Sequence, residues 1–406
     1  MLGHVIVANV DTEPACPDEL LSPSAAPAGS SRLRAERRPF DTIDAADWDR
    51  LAAANPMATP FSSWAFHRAW WDAYGSNAHE QTLAIVEAGG AADGNLVAIV
   101  PLMHRHQVEP SDAATHTTLR HGHAPDLTAV APTAKTIFFG ATYHADYATV
   151  LGDPANAPEI AEALATELGH GSKADHDHPE PWDAVDLRRL RCGDAFADAL
   201  TVAFGRREID EGWTLNAERE DVCPVVTLPE DGGWDAYLAT LEKKTRHEIR
   251  RKLRRAEDAG PVELVDSLDP ATDLAAFIEL HQKRWGADGL FPKTPGGDQS
   301  HIFFRRLFDL FGPDGALRLV FLTVAGRRIA AGVHFETADG YLYYNAGIDP
   351  DARDLSPGVV MTARYLQRAI AAGKRRLDFL RGDESYKYDW GARDEPIQRI
   401  LVRCPE

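Results

Sequence analysis

Apolar positions recur along this chain at two spacings, and the switches between them mark its elements. A helical spacing runs over residues 45–54 behind a capping Asp44. A second helix follows Pro60 and carries Phe61, Trp64, Phe66, Trp70 and Trp71. Aromatic side chains at that spacing read as a core face. Strand-like runs follow at 82–87 and 96–103, separated by a glycine-rich turn at 89–94, and then at 136–139 and 147–151. A helix over 157–168, a polar loop over 169–181, a strand at 184–187 and a helix over 194–204 come next. Strands at 207–210 and 222–228 close the first half.

The second half repeats this grammar. Helices are predicted over 234–241, 243–259, 271–285 and 301–311, with a short strand at 262–266. Three antiparallel strands at 317–324, 328–335 and 341–348 follow, then a helix over 357–371 and strands at 376–379 and 397–402. Helices, meander, helix, strand in each half predict two mixed α/β domains of similar plan. Residues 11–38 are rich in Pro, Ala, Ser and charge. The predicted organisation is therefore a flexible tail over 1–38, one domain over 39–215 and a second over 216–406.

A length of 406 residues fits two domains, and 44% hydrophobic with 26% charged residues excludes wholesale disorder. The formal charge of −19 argues against binding bulk nucleic acid such as DNA, so an anion site has to be local. Four cysteines lie far apart with no CxxC pair, and no run is long and apolar enough for a membrane span. The start of the chain has neither a basic segment nor an apolar run of useful length. A cytoplasmic location is expected.

Three constellations carry candidate chemistry. Residues 243–255 hold eight Lys or Arg against one Glu; on a helix Ile249, Leu253 and Ala256 share one face and the cations cover the rest. Such a ridge, with Lys244 and Arg250 on it, either holds phosphates or is a solvated face paired with acidic neighbours. Ser356-Pro357-Gly358 marks a sharp helix start whose free N–H groups favour an anion. Residues 378–391 read as a strand ending in a glycine turn, with aromatics flanking a lysine. There Asp383 or Glu384 can accept a proton, Tyr386 or Tyr388 can donate one, and Lys387 can neutralise phosphate or an oxyanion; the alternative is a surface turn and an edge strand. The histidine pairs His121/His123, His176/His178 and His104/His106 lack a spaced third ligand, so no metal is expected.

The run 64–71 with Tyr74-Gly75, then Asp146-Tyr147, resembles the CelD-like and FemAB-like acyltransferases of the GNAT superfamily. So do the basic helix 243–255, His281 with Arg284-Trp285, and Tyr343-Tyr344 to Gly347 leading into Ser356-Pro357-Gly358. The closing Asp378-Phe379, Gly382 and Tyr386-Lys387 complete the likeness, which covers residues 40–403. The resemblance implies tandem GNAT-like domains with substrates held between them. It implies transfer of an acetyl or other acyl group from acyl-CoA to an amine or hydroxyl of a cell-envelope or exopolysaccharide precursor, small, lipid-linked or nucleotide-linked. It places Lys387, Tyr386, Asp383 and Tyr344 at the chemistry, Arg353, Ser356 and Gly358 by the donor phosphates, and Lys244, Arg250, His281, Arg284, Asp146 and Tyr147 by the acceptor. The stretch 353–358 lacks the paired small residues usual in that phosphate turn. A Fem-like transferase using aminoacyl-tRNA, or a non-catalytic scaffold in polysaccharide synthesis, are the alternatives.

Overall fold

The computed structural model describes residues 32–105, 127–131, 133–172, 181–312 and 315–404. The first half comprises β1 (Leu33–Arg37), α1 (Ala45–Ala54), α2 (Trp64–Tyr74), β2 (Ala78–Glu80), β3 (Leu83–Glu87), β4 (Leu96–Val100), β5 (Leu102–Arg105), β6 (Thr136–Phe139), β7 (Leu151–Gly152), α3 (Ala157–Gly171), β8 (Ala184–Arg191), α4 (Ala195–Glu211) and β9 (Thr214–Thr227). The second comprises α5 (Gly233–Thr240), α6 (Lys243–Asp258), β10 (Val262–Asp266), α7 (Pro270–Trp285), α8 (Pro295–Phe311), β11 (Leu317–Val324), β12 (Arg327–Glu336), β13 (Gly340–Ile348), α9 (Pro357–Ala371), β14 (Arg376–Asp378), α10 (Ser385–Tyr388) and β15 (Arg393–Arg403).

Local chemistry sets the starts of these helices. Asp44, Ser63, Asp194, Asp269 and Thr294 each accept a first-turn N–H at the head of α1, α2, α4, α7 and α8. Phe66, Trp70 and Tyr74, four residues apart along α2, are fully buried, as a core stripe requires. They pack with Phe303, Phe304 and Phe335, so this core joins the two halves.

Eleven strands form one sheet in the order β10-β11-β12-β13-β14-β9-β15-β8-β6-β5-β2, and β1, β3, β4 and β7 form a smaller one. The large sheet reads nearly the same from either side of its middle. β13 runs parallel to β14, as β6 does to β8, with α9 and α3 lying between them in sequence. Each half then lends its last strand to the other: β9 pairs with β14, β15 pairs with β8, and β9 pairs with β15 along the length of β15. Pro101, which lacks an N–H, separates β4 from β5 and sends one predicted strand into two sheets.

Three expectations change here. Residues 33–37, assigned to the tail, are β1, held against β3 with Leu33 buried; residues 1–31 lie outside the described residues. The boundary expected between 215 and 216 falls inside β9, because that strand belongs to the sheet of both halves. Residues 207–210 continue α4, which ends where Gly212 turns left-handed (φ 74°).

The shared middle of the sheet is charged. Arg399 of β15 donates to both oxygens of Asp186 on β8, at 2.6 and 2.9 Å, and to Glu218 of β9 at 3.1 Å. Arg189 pairs with Glu220 beside it, and all of these except Glu218 are buried. Buried charges persist only when paired, so these ties fix which strands meet. Replacing Arg399 with Met should lower unfolding free energy by about 3 kcal/mol, because it leaves buried Asp186 with Arg188 on one oxygen only and Glu218 without its cation. Urea unfolding would measure this, and an unchanged midpoint would show that the cluster is not a tie.

Candidate active site

β13 and β14 stay paired over only three residues, Gly340–Leu342 against Arg376–Asp378, and then diverge. On its other side β13 follows β12 with a bulge at Tyr344, since Val333 faces Asn345 and His334 faces Tyr343. Tyr343 packs on Tyr365 of α9, while Tyr344 packs on Phe304 and Phe61.

Two cavities open along the divergence. The first, about 600 Å³, lies between α6, β13, the first turn of α9 and α10. The second, about 480 Å³, lies between the end of α7, β13, the 379–387 turn and residues 143–146 of the first half. Arg284, Tyr343 and Tyr386 line both and form the partition between them.

The first cavity carries charges of both signs, Glu242, Glu248 and Asp389 among the acids. Lys244 and Lys252 of α6 line it with Arg284, whose guanidinium lies 4.4 Å from the Trp285 ring centre. Lys252 pairs with Glu248, whose carboxyl is held down at about 2, chiefly by its hydrogen bond from Arg251. Lys244 and Arg284 have no acidic partner among the described residues. Gly358 and Val359 at the head of α9 also line this cavity. Ser356 has a left-handed backbone (φ 53°) and gives the helix no side-chain cap, so the first-turn N–H groups remain available to an anion.

The 378–387 turn forms the far wall. Tyr147 donates to Asp378 at 2.8 Å, and the other Asp378 oxygen accepts the Leu380 N–H at 2.8 Å. Burial raises the Asp378 pKa, and Arg376 opposes the rise. Lys387 is buried and donates to the carbonyls of Leu380, Arg381 and Gly382 at 3.1, 3.0 and 2.8 Å; it also pairs with Glu384 at 2.8 Å.

The second cavity holds two groups suited to proton transfer. His281 is 2% exposed, its Nδ1 meets no hydrogen-bond partner, and burial lowers its pKa to about 4. A Cβ on Gly347 would lie 2.4 Å from the His281 backbone nitrogen, so only glycine lets β13 approach α7 there. The Tyr344 hydroxyl donates to the His144 carbonyl at 3.0 Å and lies 3.4 Å from its Nδ1. His144 Nε2 lies 2.7 Å from the Tyr74 hydroxyl, which is 3.0 Å from Ser300 Oγ. This chain crosses from one half to the other twice. Sequence reasoning missed it, because residues 74, 144, 300 and 344 carry no local spacing signal.

The expected site residues separate into two groups. Lys244, Arg284, Tyr386, Tyr344, His281, Asp146 and Gly358 line the cavities, and Asp146 is paired with Arg381 at 3.4 Å. The others are placed differently. Lys387 lines the second cavity, but its ammonium group is spent on the turn. Asp383 and Tyr147 are buried, and neither lines either cavity. Arg250 points away from the cleft to pair with Asp235 at 3.0 Å; Arg353 is exposed, and neither it nor Ser356 lines a cavity. Residues 385–388, for which an edge strand was the alternative reading, form α10, which carries Tyr386 to the partition at 41% exposure. His104 is buried and bonds Thr136, whereas His106, His121, His123, His176 and His178 lie outside the described residues. No cluster of metal-binding side chains occurs among the described residues.

Residues 243–388 match the family described as the acetyltransferase (GNAT) domain. No curated protein matches the sequence. Among solved structures, FemX superposes over 88% of this chain and 96% of its own at 12% identity, with a TM-score of 0.53. A tandem GNAT protein from the clavulanic acid biosynthesis pathway covers 92% and 99% at 10% identity, with a TM-score of 0.44. The C-terminal domain of a putative lysylphosphatidylglycerol synthetase from Agrobacterium fabrum covers 88% and 92% at 12% identity, with a TM-score of 0.46. The chain therefore carries a GNAT domain in its second half, within a mixed α/β fold of the kind seen in FemX.

Two outcomes follow from this geometry. Lys387→Met should cost at least about 2 kcal/mol of stability, read as a lower unfolding midpoint, because three carbonyls and Glu384 lose their donor. A lysine serving only a ligand would leave the midpoint unchanged. The second outcome concerns pH. His281 titrates near 4 when folded against 6.5 in an open chain, so only the unfolded chain takes up its proton between those values. Its contribution is complete above pH 6.5 and is lost as pH falls toward 4, with a slope of about 1.4 kcal/mol per unit. His281→Gln should flatten the stability curve by that slope across this window, and identical slopes would mean that His281 is charged in the folded protein.

Proposed function

We propose that this chain is an acyltransferase that moves an acetyl or other acyl group from acyl-CoA to an amine or hydroxyl. The donor occupies the first cavity, with its phosphates at the head of α9 and beside Lys244 and Arg284. The acceptor enters the second cavity, and the two meet at the partition formed by Tyr343, Tyr386 and Arg284. One observation carries the reading: two strands of a GNAT domain diverge beside a helix whose first turn is uncapped and faces cations without acidic partners.

The acceptor nitrogen or oxygen attacks the thioester carbonyl directly. Its bond to the acyl carbon forms as the carbon–sulfur bond breaks, and the acceptor proton leaves with neutral His281 as the taker. Tyr386 or Tyr344 returns a proton to the departing sulfur, so the products are the acylated acceptor and a free thiol. Holding both reactants across one partition supplies most of the rate. Lys387 and Tyr147 act by holding the turn. Aromatic rings around the second cavity, Trp285, Tyr343, Tyr344, Phe379 and Tyr386, suit the ring faces of a sugar-linked acceptor such as a cell-envelope or exopolysaccharide precursor. Aminoacyl-tRNA is the less favoured donor: among the described residues no helix exceeds 17 residues, so none forms a long arm.

Acetyl-CoA at a hundredfold excess over its Kd should stabilise the protein by about 2.7 kcal/mol, read as a rise in Tm, and bulk tRNA should not. Arg284→Ala should weaken that binding roughly tenfold to a hundredfold, the worth of one charge-assisted hydrogen bond. A shift with tRNA and none with acetyl-CoA would transfer the reading to aminoacyl-tRNA. No shift with either would leave a scaffold.

A further inference from the structure

The first cavity uses only one flank of α6. Lys244, Thr245, Glu248, Ile249 and Lys252 line it, Ile249, Leu253 and Ala256 dock on the core, and Arg246 and Arg255 bond the carbonyls of neighbouring segments. The opposite flank carries Lys243, His247, Arg250, Arg251 and Arg254, all exposed. Lys243 and Arg254 have no acidic partner among the described residues. Arg250 pairs with exposed Asp235 and Arg251 with half-exposed Glu248 at the rim of the first cavity, and ion pairs this open to water are easily exchanged. This ridge is more than the phosphates of one small donor require, and in a chain of net charge −19 it stands alone as a block of like charge.

We infer that the outer face of α6 docks an acidic helical carrier protein, which presents the acyl thioester on a phosphopantetheine arm; this rests on the acyl-transfer reading of the first cavity. The ridge and the cavity share α6, and Lys244 stands at their common edge, so an arm leaving the docked carrier enters beside it. The arm is the same chemical group that CoA presents, so the cavity serves both donors. During transfer the carbon–sulfur bond breaks, the acyl carbon bonds to the acceptor, and the carrier leaves with its thiol bearing the displaced proton.

Size and surroundings of the ridge favour a protein over other polyanions. From Lys243 to Arg254 it runs about 17 Å at 1.5 Å per residue, the length of three helical turns. Glu242 closes one end, and Glu257 and Asp258 the other. A nucleic acid needs cations along many successive phosphates, and these acids interrupt such a track. A membrane surface would want apolar side chains beside the cations, and this face has none. One acidic helix laid along α6 meets both the length and the sign.

The test uses an acyl carrier protein with an acetylated arm, labelled for fluorescence anisotropy, against the full chain. Binding is expected to weaken as salt rises. The double variant Lys243→Glu, Arg254→Glu should weaken it at least tenfold while leaving the Tm rise with acetyl-CoA unchanged. An intact acetyl-CoA shift without carrier binding, or with carrier binding indifferent to that variant, overturns the docking surface alone. Carrier binding that needs Lys243 and Arg254, with no acetyl-CoA shift, overturns the cavity reading instead. A single-stranded RNA or phosphatidylglycerol vesicles binding through the same two residues, where the carrier does not, overturns the choice of partner.

Discussion

The hydrogen bond from Tyr147 to Asp378 is the contact on which the cleft depends. A parallel strand pair has no reason of its own to separate after three residues. Here one oxygen of Asp378 is taken by a tyrosine from the other half and the second by the Leu380 N–H, so the chain leaves β13 at that point. Leu380 (φ 58°) and Gly382 (φ 104°) complete the departure with left-handed backbones. Lys387 gathers the three carbonyls that the turn leaves behind. Both cavities exist because this wedge stays open.

A consequence is that the first half is part of the site's construction. It supplies Tyr147 beneath the wedge, Asp146 and His144 on the wall, and Tyr74 behind His144. The tyrosine on the β13 bulge is thus oriented from outside its own half. The field within the cleft is also divided. Glu242, Glu248 and Asp389 line the first cavity too, but Lys244 and Arg284 there have no ion-pair partner among the described residues, whereas in the second Arg381 is tied to Asp146 and Lys387 to Glu384. An anion meets unpaired cations on one side of the partition and cations already paired on the other.

Much of the fold was legible in the sequence because periodicity reports burial. The Trp and Phe residues of α2, the meander of β11 to β13 and the amphipathic α6 carry their faces in their spacing. The strand exchange was not legible, since β9 and β15 look like any terminal strand until their partners are known. At the site, residue types pointed to the right segments but not to the right atoms. Lysine within a glycine turn reads alike whether its ammonium faces a ligand or folds back on carbonyls, and only coordinates distinguish the two for Lys387. Arg250 and Lys244 lie on one helix, and a shift of register sends one to Asp235 and the other to the cavity. His144 left no trace, because its hydrogen-bond partners, Tyr74 and Tyr344, come from two distant places in the chain.

The exchanged strands bear on how the molecule is made. The first half is not finished by its own residues: the place beside β8 is filled by β15, the last strand of the chain. During synthesis β8 must wait with an open edge, and Asp186 with one oxygen short of its partner, until β15 has been made. Cutting the gene near its midpoint would not yield two small proteins. Each piece would carry a strand that belongs to the other, and an unfilled edge apt to recruit a neighbour.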